Sequence, residues 1–221
     1  MPKPRHVYLI RHGQSMGNVD RTIHATVPDW KVPLTDTGRK QARWAGRDLH
    51  DRTGLAPVAF YASPYLRARQ TLDEILGAFT PAQIERRRED PRLREQEWSN
   101  LRVFDVRMWQ QIEEEREVYG TFFYRFAHGE SGADVFDRCT GFLSTLYRDF
   151  TQETFPDHLC IVTHGFTMRV LLMRWLHWDV ETFHQLANPH NAERFEMVLD
   201  ETDHYRLVTS FPRKGERVWQ A

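Results

Sequence analysis

Two short apolar runs in this chain each lead into a histidine. Residues 7–10 lead into Arg11 and His12, and residues 159–162 lead into His164, with a glycine after each histidine. An apolar run that stops at a glycine is typical of a buried parallel strand followed by a turn. Because open α/β sheets bind ligands beyond the carboxyl ends of their strands, we expect Arg11, His12 and His164 to meet in one site.

A third apolar run places another basic residue at the same edge of the predicted sheet. Residues 58–62 form a strand pattern that ends in Ser63 and Pro64, and Arg67 follows. Serine is a good helix N-cap and proline suits the first helical position, so we predict a helix that begins at Pro64. Guanidinium groups bind phosphate oxygens through paired hydrogen bonds. Arg11 and Arg67 together therefore indicate a phosphate site.

Several segments of the chain resemble the signatures of the histidine phosphatase superfamily, also called phosphoglycerate-mutase-like. The matching segments, in chain order, are residues 9–15 with Asn18, residues 63–67, 93–95, 129–138 and 164–165. The resemblance extends over nearly the whole chain, and its segments follow the family order. Ser99 is a departure, because the family commonly has glycine four residues after the acid of the 93–95 segment.

The resemblance implies a role for each matching residue. It implies that Glu95 is the proton donor, with Glu97 as a backup, and that Arg67 binds the phosphoryl group. The implied catalytic residues are Arg11, His12, Arg67, Glu95 and His164. The implied phosphate-binding residues are Arg11, His12, Asn18, Arg67, His164 and Gly165.

These residue types suit phosphoryl transfer by positioning and charge stabilisation. His12 is the best nucleophile, since neutral imidazole is nucleophilic and nearby arginines favour that form. We expect a backbone carbonyl to hold its other ring nitrogen. Arg11, Arg67 and a protonated His164 would surround the phosphoryl oxygens, with Asn18 as a neutral donor. The sequence has no Walker-type glycine loop and no paired-aspartate metal motif, so we predict neither a metal nor a cofactor.

The predicted fold class is α/β, and the resemblance implies a three-layer α/β/α sandwich with a mostly parallel central sheet. We predict one domain over residues 1–221, with a small cap insertion at about 96–128. Residues 20–33 are predicted as a loop near the site. Further strands are predicted at residues 84–89, 195–199 and 205–208, and further helices at 35–51, 104–117, 131–150 and 166–178.

Four residues are candidates for binding the rest of the substrate. Ser15 and Arg21 follow the first histidine, while Trp98 and Tyr124 lie in the cap insertion. The insertion is rich in aromatic residues and is predicted to cover the pocket, although the same residues would also form a small separate core. The expected partner is a small phosphorylated substrate.

Composition excludes several classes of function. The chain has 221 residues, 40% of them hydrophobic and 28% charged, with a formal net charge of -1. That balance argues against bulk nucleic-acid binding or anionic-membrane binding. Two cysteines, no visible signal peptide and no membrane-length apolar run favour a cytoplasmic protein. The sequence leaves the oligomeric state open.

Three functions are compatible with these residues. The first is a metal-independent phosphomonoesterase with a phosphohistidine intermediate, which places the chain in the phosphatase branch of the family. The second is a cofactor-dependent phosphoglycerate mutase. Residues 98–119 lack the Arg-Arg-Ser-Tyr segment and proline run of mutases and contain an acidic run at 113–115, which favours the phosphatase. The third is a non-catalytic scaffold that binds phosphorylated partners, but no residue of the expected catalytic set is missing.

Overall fold

A computed structural model describes residues 3–98 and 106–215 of the chain. Its centre is a six-stranded sheet in the order β3-β2-β4-β1-β5-β6. The first four strands in this order are parallel to one another. Strand β5 pairs antiparallel with β1, and β6 pairs antiparallel with β5. The strands are β1 His6–Arg11, β2 Val58–Ala62, β3 Ile84–Glu89, β4 His158–Thr163, β5 Arg194–Leu199 and β6 Tyr205–Leu207.

Seven α-helices connect and cover these strands within the described ranges. They are α1 Met16–Val19, α2 Asp36–Thr53, α3 Leu66–Leu76, α4 Val106–Tyr119, α5 Gly132–Phe150, α6 Gly165–Trp175 and α7 Val180–Gln185. None of the helices in residues 3–98 or 106–215 is long and apolar enough to cross a membrane.

Both faces of the sheet are buried, which explains why its central strands are continuously apolar. Along β1, Val7 and Leu9 belong to one hydrophobic cluster, and Tyr8 and Ile10 belong to the other. The first cluster includes side chains of α5 and α6, and the second includes side chains of α2 and α3. The predicted three-layer α/β/α fold with a mostly parallel sheet is therefore confirmed.

Two local predictions about helices are confirmed by capping geometry. The Thr35 hydroxyl accepts a hydrogen bond from the Gly38 amide at 3.0 Å and caps α2. The Ser131 hydroxyl accepts from the Asp134 amide at 3.2 Å, and the Asp134 carboxylate accepts from the Ser131 amide, which forms the predicted box at α5. Both caps need only residues within four positions, so sequence alone could predict them.

Two other local predictions are wrong. Helix α3 begins at Leu66 with Tyr65 as its N-cap, so Ser63 does not cap it. The Ser63 amide instead donates to the carbonyl of Val162 at 3.0 Å, which continues the sheet by one residue. The predicted loop at 20–33 contains two 3₁₀ helices, Arg21–Ala25 and Asp29–Lys31.

The loop after β1 is fixed by contact between two glycines. A Cβ atom on Gly13 would lie 2.4 Å from the carbonyl oxygen of Gly38, in the first turn of α2. The backbone of α2 therefore packs directly against the loop that carries His12. Any larger residue at Gly13 would push this loop away from the helix.

Candidate active site

A cavity of about 880 Å³ lies beyond the carboxyl ends of β1 and β2. Its lining combines charged, polar and aromatic side chains from six parts of the chain. Lining residues used below are Arg11, His12, Ser15, Asn18, Arg21, Asp29, Arg67, Glu95, Glu97, Trp98, Trp109, Arg116, Phe166, Arg169 and Asn188.

His12 is buried and held in one tautomer. Its Nδ1 lies 2.7 Å from the carbonyl oxygen of Gly13, so Nδ1 carries the proton and donates. The lone pair of the neutral ring is therefore on Nε2. Burial, and then the charges of Arg67 and Arg11, hold the pKa of His12 well below its usual value. The predicted backbone carbonyl is confirmed, and the lowered pKa favours the predicted neutral imidazole.

Asn18 is oriented by hydrogen bonds to its amide oxygen. The amide and the hydroxyl of Ser15 both donate to Asn18 Oδ1 at 3.0 Å, and Asn191 Nδ2 donates to it at 3.2 Å. With Oδ1 occupied, the Asn18 NH₂ group is the part that can donate to a ligand. Asn191 also donates to the carbonyl of His12 at 3.2 Å. Ser15 lines the cavity, and its two hydrogen bonds to Oδ1 orient the Asn18 side chain.

Arg11 lines the cavity with its guanidinium partly free. One terminal nitrogen donates to the carbonyl of Pro189, while Nε is buried without a hydrogen-bond partner among the described residues. A Cβ atom on Gly165 would lie 3.4 Å from this Nε and 3.1 Å from Asn188 Cγ. Gly165 does not itself line the cavity. Its lack of a side chain lets Arg11 and Asn188 approach the start of α6.

Arg67 is paired with a residue that the sequence prediction did not select. Its two terminal nitrogens donate to the two carboxylate oxygens of Asp29 at 2.9 and 3.1 Å, and Nη1 also donates to the Asp29 carbonyl at 2.7 Å. The side chain of Arg67 is almost fully buried, whereas that of Asp29 is about one-third exposed. Asp29 therefore occupies the fork that a phosphoryl group would use.

His164 is fully buried behind His12 and does not line the cavity itself. The two imidazole centroids are 5.1 Å apart in an edge-on arrangement. His164 Nε2 lies 2.8 Å from Ser63 Oγ, and its Nδ1 has no partner among the described residues. Burial, followed by the charges of Arg67 and His12, holds the pKa of His164 well below its usual value. This lowered pKa disfavours the predicted protonated His164 in the unliganded site, because burial and the neighbouring positive charges both destabilise the charged ring.

Two glutamates line the cavity and differ in their surroundings. Glu95 Oε1 accepts from the Gln96 amide at 3.0 Å and from the Thr167 amide and hydroxyl at 3.2 Å. Because Thr167 lies in the first turn of α6, Glu95 is anchored at a helix N-terminus. Glu97 is more exposed, and burial followed by the charges of Asp29 and Glu130 raises its pKa.

A buried ion pair fixes the segment that carries both glutamates. Arg138 Nε donates to Glu130 Oε1 at 3.0 Å, and Arg138 Nη2 donates to the Glu95 carbonyl at 3.2 Å. Glu130 Oε2 accepts from the Glu97 amide at 3.1 Å, and Arg94 also pairs with this carboxylate. Glu130 therefore positions the acidic segment by holding its backbone.

Of the candidate substrate-binding residues, Ser15, Arg21 and Trp98 line the cavity, whereas Tyr124 does not. Arg21 lines the rim, 3.6 Å from Glu113 and 5.8 Å from the ring of Trp109. Trp98 lines the cavity and packs against Trp109 with centroids 5.3 Å apart. Tyr124 is not among the described cavity-lining residues, and its hydroxyl donates to Glu115 at 3.1 Å. The prediction for Tyr124 is wrong because its ring packs back into the aromatic cluster of the insertion.

The insertion contributes to the cavity through α4, which supplies Trp109 and Arg116. Residues 99–105, which include Ser99, lie outside the described ranges. Sequence reasoning missed Arg116 and Arg169, both of which line the cavity. Arg169 gave a usable signal, because it is a charged residue within the otherwise apolar pattern of α6.

Comparison with known proteins gives one family and several relatives. The profile of the family described as "Histidine phosphatase superfamily (branch 1)" matches residues 7–209. The chain is 42% identical to phosphoglycerate mutase-like protein AT74 of Arabidopsis thaliana, over 98% of the chain and 72% of the relative. It is 31% identical to broad-range acid phosphatase DET1 of Saccharomyces cerevisiae, over 96% of the chain and 90% of the relative.

Solved structures share the fold at lower identity. A mycobacterial glucosyl-3-phosphoglycerate phosphatase superposes with a TM-score of 0.75 and 21% identity, covering 94% of this chain and 99% of that one. A Bacillus stearothermophilus protein, YhfR, superposes with a TM-score of 0.73 and 23% identity, covering 94% and 96%. These likenesses support the same α/β/α arrangement.

Proposed function

Because the chain belongs to branch 1 of the histidine phosphatase superfamily, we propose that it is a phosphomonoesterase that forms a phosphohistidine at His12. The observation that carries this proposal is the His12 tautomer. Its Nδ1 is bonded to the Gly13 carbonyl, which leaves the lone pair on Nε2, and the charges of Arg67 and Arg11 help to hold the pKa of the ring low. A neutral imidazole with one nitrogen held and the other free is the form that attacks phosphorus.

In the first step, His12 Nε2 attacks the phosphorus atom of the bound ester. The bond between phosphorus and the ester oxygen breaks, and the leaving oxygen takes a proton from Glu95. The Glu95 hydrogen bonds recorded among the described residues all end on Oε1. That arrangement leaves Oε2 to hold the transferred proton. Glu97 is the alternative acid, and the raised pKa of its carboxyl suits a proton donor.

In the second step, the Glu95 carboxylate takes a proton from water as the water oxygen attacks the phosphohistidine. The bond between phosphorus and Nε2 breaks, inorganic phosphate leaves, and Glu95 is protonated again. Each group thus returns to its starting state. Arg11, Arg67 and the Asn18 NH₂ group stabilise the phosphoryl oxygens in both steps.

Positive charge in this mechanism comes from arginine side chains. Among residues 3–98 and 106–215, no group of three or more His, Cys, Asp or Glu side chains is arranged to hold a metal ion. Arg67 must release Asp29 before it binds the phosphoryl group. A neutral His164 donates from Nδ1 when the Ser63 hydroxyl donates to its Nε2.

A phosphoglycerate mutase is the second candidate, since the relative AT74 is named mutase-like. A mutase must keep the phosphoryl group on His12 and exclude water. The similarity to an acid phosphatase over 96% of the chain favours hydrolysis. We infer that the protein acts on a small phosphorylated molecule in the cytoplasm, where its two buried cysteines stay reduced.

The test is chemical trapping of the covalent intermediate. Brief reaction with a ³²P-labelled ester, followed by denaturation in base, is expected to leave label on the peptide that carries His12. A phosphohistidine is stable in base and labile in acid, whereas a phosphoserine behaves the other way. His12→Ala should abolish both label and turnover, while His50→Ala, remote from the cavity, should retain both. Turnover that persists in His12→Ala would overturn the mechanism.

Release of inorganic phosphate from a panel of esters, measured beside a phosphoglycerate mutase assay, separates the two candidate functions. The phosphatase proposal expects phosphate release without isomerisation of phosphoglycerate. Isomerisation that outruns phosphate release would establish the mutase.

A further inference from the structure

Two arginines converge in the cavity on a ring that the proposed mechanism does not use. Arg116 comes from α4 and Arg169 from α6, and both line the cavity. The guanidinium carbons of Arg116 and Arg169 lie 5.3 and 5.7 Å from the centroid of the Phe166 ring. Two like charges from separate elements therefore lie against one aromatic ring.

Neither arginine forms a direct ion pair with a carboxylate within the described residues. Arg116 Nη2 donates to the neutral Gln96 amide at 3.3 Å, and Arg169 Nη1 lies 3.4 Å from the Asn188 amide oxygen. Arg169 Nη2 donates to the carbonyl of Phe183 at 3.1 Å. The Nε atoms of both arginines are buried with no described partner.

Two other arginines with buried side chains are paired with carboxylates. Arg138 pairs with Glu130 at 3.0 Å, and Arg194 pairs with Asp48 at 2.6 Å. A buried charge without a counter-charge is costly, so such groups are usually paired. Arg169 is 5% exposed and lacks such a pairing in the described ranges. The missing anion at this pair is best supplied by a ligand.

The electrostatics of the cavity relate this pair to the reacting centre. Burial lowers the pKa of Arg116 and of Arg169, and the charge of Glu95 opposes the shift in both. Glu95 acts in the same way on Arg11. Arg116 bonds to Gln96, which follows Glu95 in the chain, and Glu95 itself bonds to Thr167 of α6, so the pair lies near the proposed proton donor. A cavity of about 880 Å³ also has room for much more than one phosphoryl group.

We propose that Arg116 and Arg169 form a second anion subsite, which binds a carboxylate or second phosphate of the substrate while Arg11 and Arg67 hold the reacting phosphoryl group. The preferred substrates are therefore phosphate esters that carry a further anionic group. This inference rests on the proposed phosphatase function and names its substrate class.

The test compares esters that differ in the second group. Glycerol 3-phosphate is paired with 3-phosphoglycerate, which adds a carboxylate, and fructose 6-phosphate is paired with fructose 1,6-bisphosphate, which adds a phosphate. For each pair the measured quantity is a ratio of kcat/KM values. The value for the ester with two anionic groups is divided by the value for the ester with one. The wild-type ratio should exceed one in at least one pair, and the pair that shows it identifies the second group.

Arg116→Met and Arg169→Met are each expected to lower that ratio by about 10–100-fold, the effect of losing a charge-assisted hydrogen bond. Arg174→Met is the matched control, since Arg174 lies on α6 but bonds to Thr140 Oγ1 away from the cavity. It should leave the ratio unchanged. Thermal unfolding of each variant identifies loss of folding. If Arg169→Met does not fold, the ratio measured for Arg116→Met, in α4, tests the subsite.

Two outcomes would overturn the subsite. One is a wild-type ratio of one or less in both pairs, and the other is an equal fall in kcat/KM for all four esters. Binding to the His12→Ala protein, measured by calorimetry, gives a readout without turnover. There, 3-phosphoglycerate or fructose 1,6-bisphosphate should lose affinity on Arg116→Met more than the paired ester that lacks the second anionic group. If no ester is hydrolysed but this difference is seen, the proposed function fails and the subsite stands.

Discussion

The state of the His12 ring depends on one hydrogen bond at Nδ1, on burial and on two neighbouring positive charges. The Gly13 carbonyl holds Nδ1 at 2.7 Å, and burial with the Arg67 and Arg11 charges holds the pKa of the ring well below its usual value. His164, edge-on to His12, is kept neutral by the same burial. In the proposed mechanism, this neutral form would let His12 attack without a separate general base.

Removing the Arg67 charge should raise the pKa of His12. Protonation of His12 destroys its nucleophilicity, so activity is lost as the pH falls through that pKa. In the wild type this loss should begin well below pH 6.5, about the ordinary pKa of histidine. In Arg67→Met the histidine pKa, measured by NMR titration, should move toward 6.5. Arg69→Met is the control, since Arg69 pairs with Glu89 at the surface. An unchanged His12 pKa in Arg67→Met would contradict the charge argument.

The identity of the proton donor is a separate question at this scale. Glu95→Gln should lower kcat about 10²–10⁴-fold, the usual contribution of a positioned acid. Glu97→Gln should have a much smaller effect. For aryl phosphates the Glu95→Gln loss should shrink, because their leaving groups need little protonation. Turnover of alkyl and aryl phosphates by both variants gives the measurement. A larger loss in Glu97→Gln would transfer the role to Glu97, whose pKa is already raised.

At the scale of elements, the segment between α1 and α2 controls access to Arg67. Its second 3₁₀ helix begins at Asp29, whose carboxylate and carbonyl both accept from the Arg67 guanidinium. A phosphoryl group and this carboxylate need the same donors. Binding of substrate therefore requires that Asp29 moves away or that Arg67 turns.

Asp29→Asn should tighten inhibition by inorganic phosphate and by vanadate several-fold, because it removes the competing charge from Arg67. The inhibition constants of wild type and variant provide the comparison. Asp36→Asn serves as the control, since Asp36 also opens a helix but does not line the cavity. Weaker inhibition in Asp29→Asn would show that Asp29 holds Arg67 in place for the phosphoryl group.

For the whole molecule, the parallel part of the sheet brings β1, β2 and β4 together, so that the residues after each strand share one edge. In the proposed mechanism, the guanidiniums at this edge would replace the charge that a metal ion supplies in other phosphoryl-transfer enzymes. Excess EDTA should therefore leave phosphate release essentially unchanged. A magnesium-dependent phosphatase assayed in parallel shows that chelation is complete. Activity that disappears with EDTA and returns with magnesium or zinc would refute this account.

Sequence alone was sufficient for features that depend on neighbouring residues. An apolar run followed by a glycine predicts a buried strand and its turn, and the caps at Thr35 and Ser131 use donors within four residues. The placement of Arg11, His12 and Arg67 at strand ends follows from the same local information. The order of the strands in the sheet adds little to these predictions, because all parallel strands place their carboxyl ends at the same edge.

Only the tertiary structure decided which charges meet. Asp29 and Arg67 are 38 positions apart, and Arg116 and Arg169 come from helices that no local pattern relates. The Ser63 hydroxyl contacts His164, 101 positions away, and does not cap the adjacent helix. Ionisation follows the same rule, since burial of His164 is a property of the packed molecule. Long-range contact and desolvation determine these features, and neither is encoded in the spacing of residues along the chain.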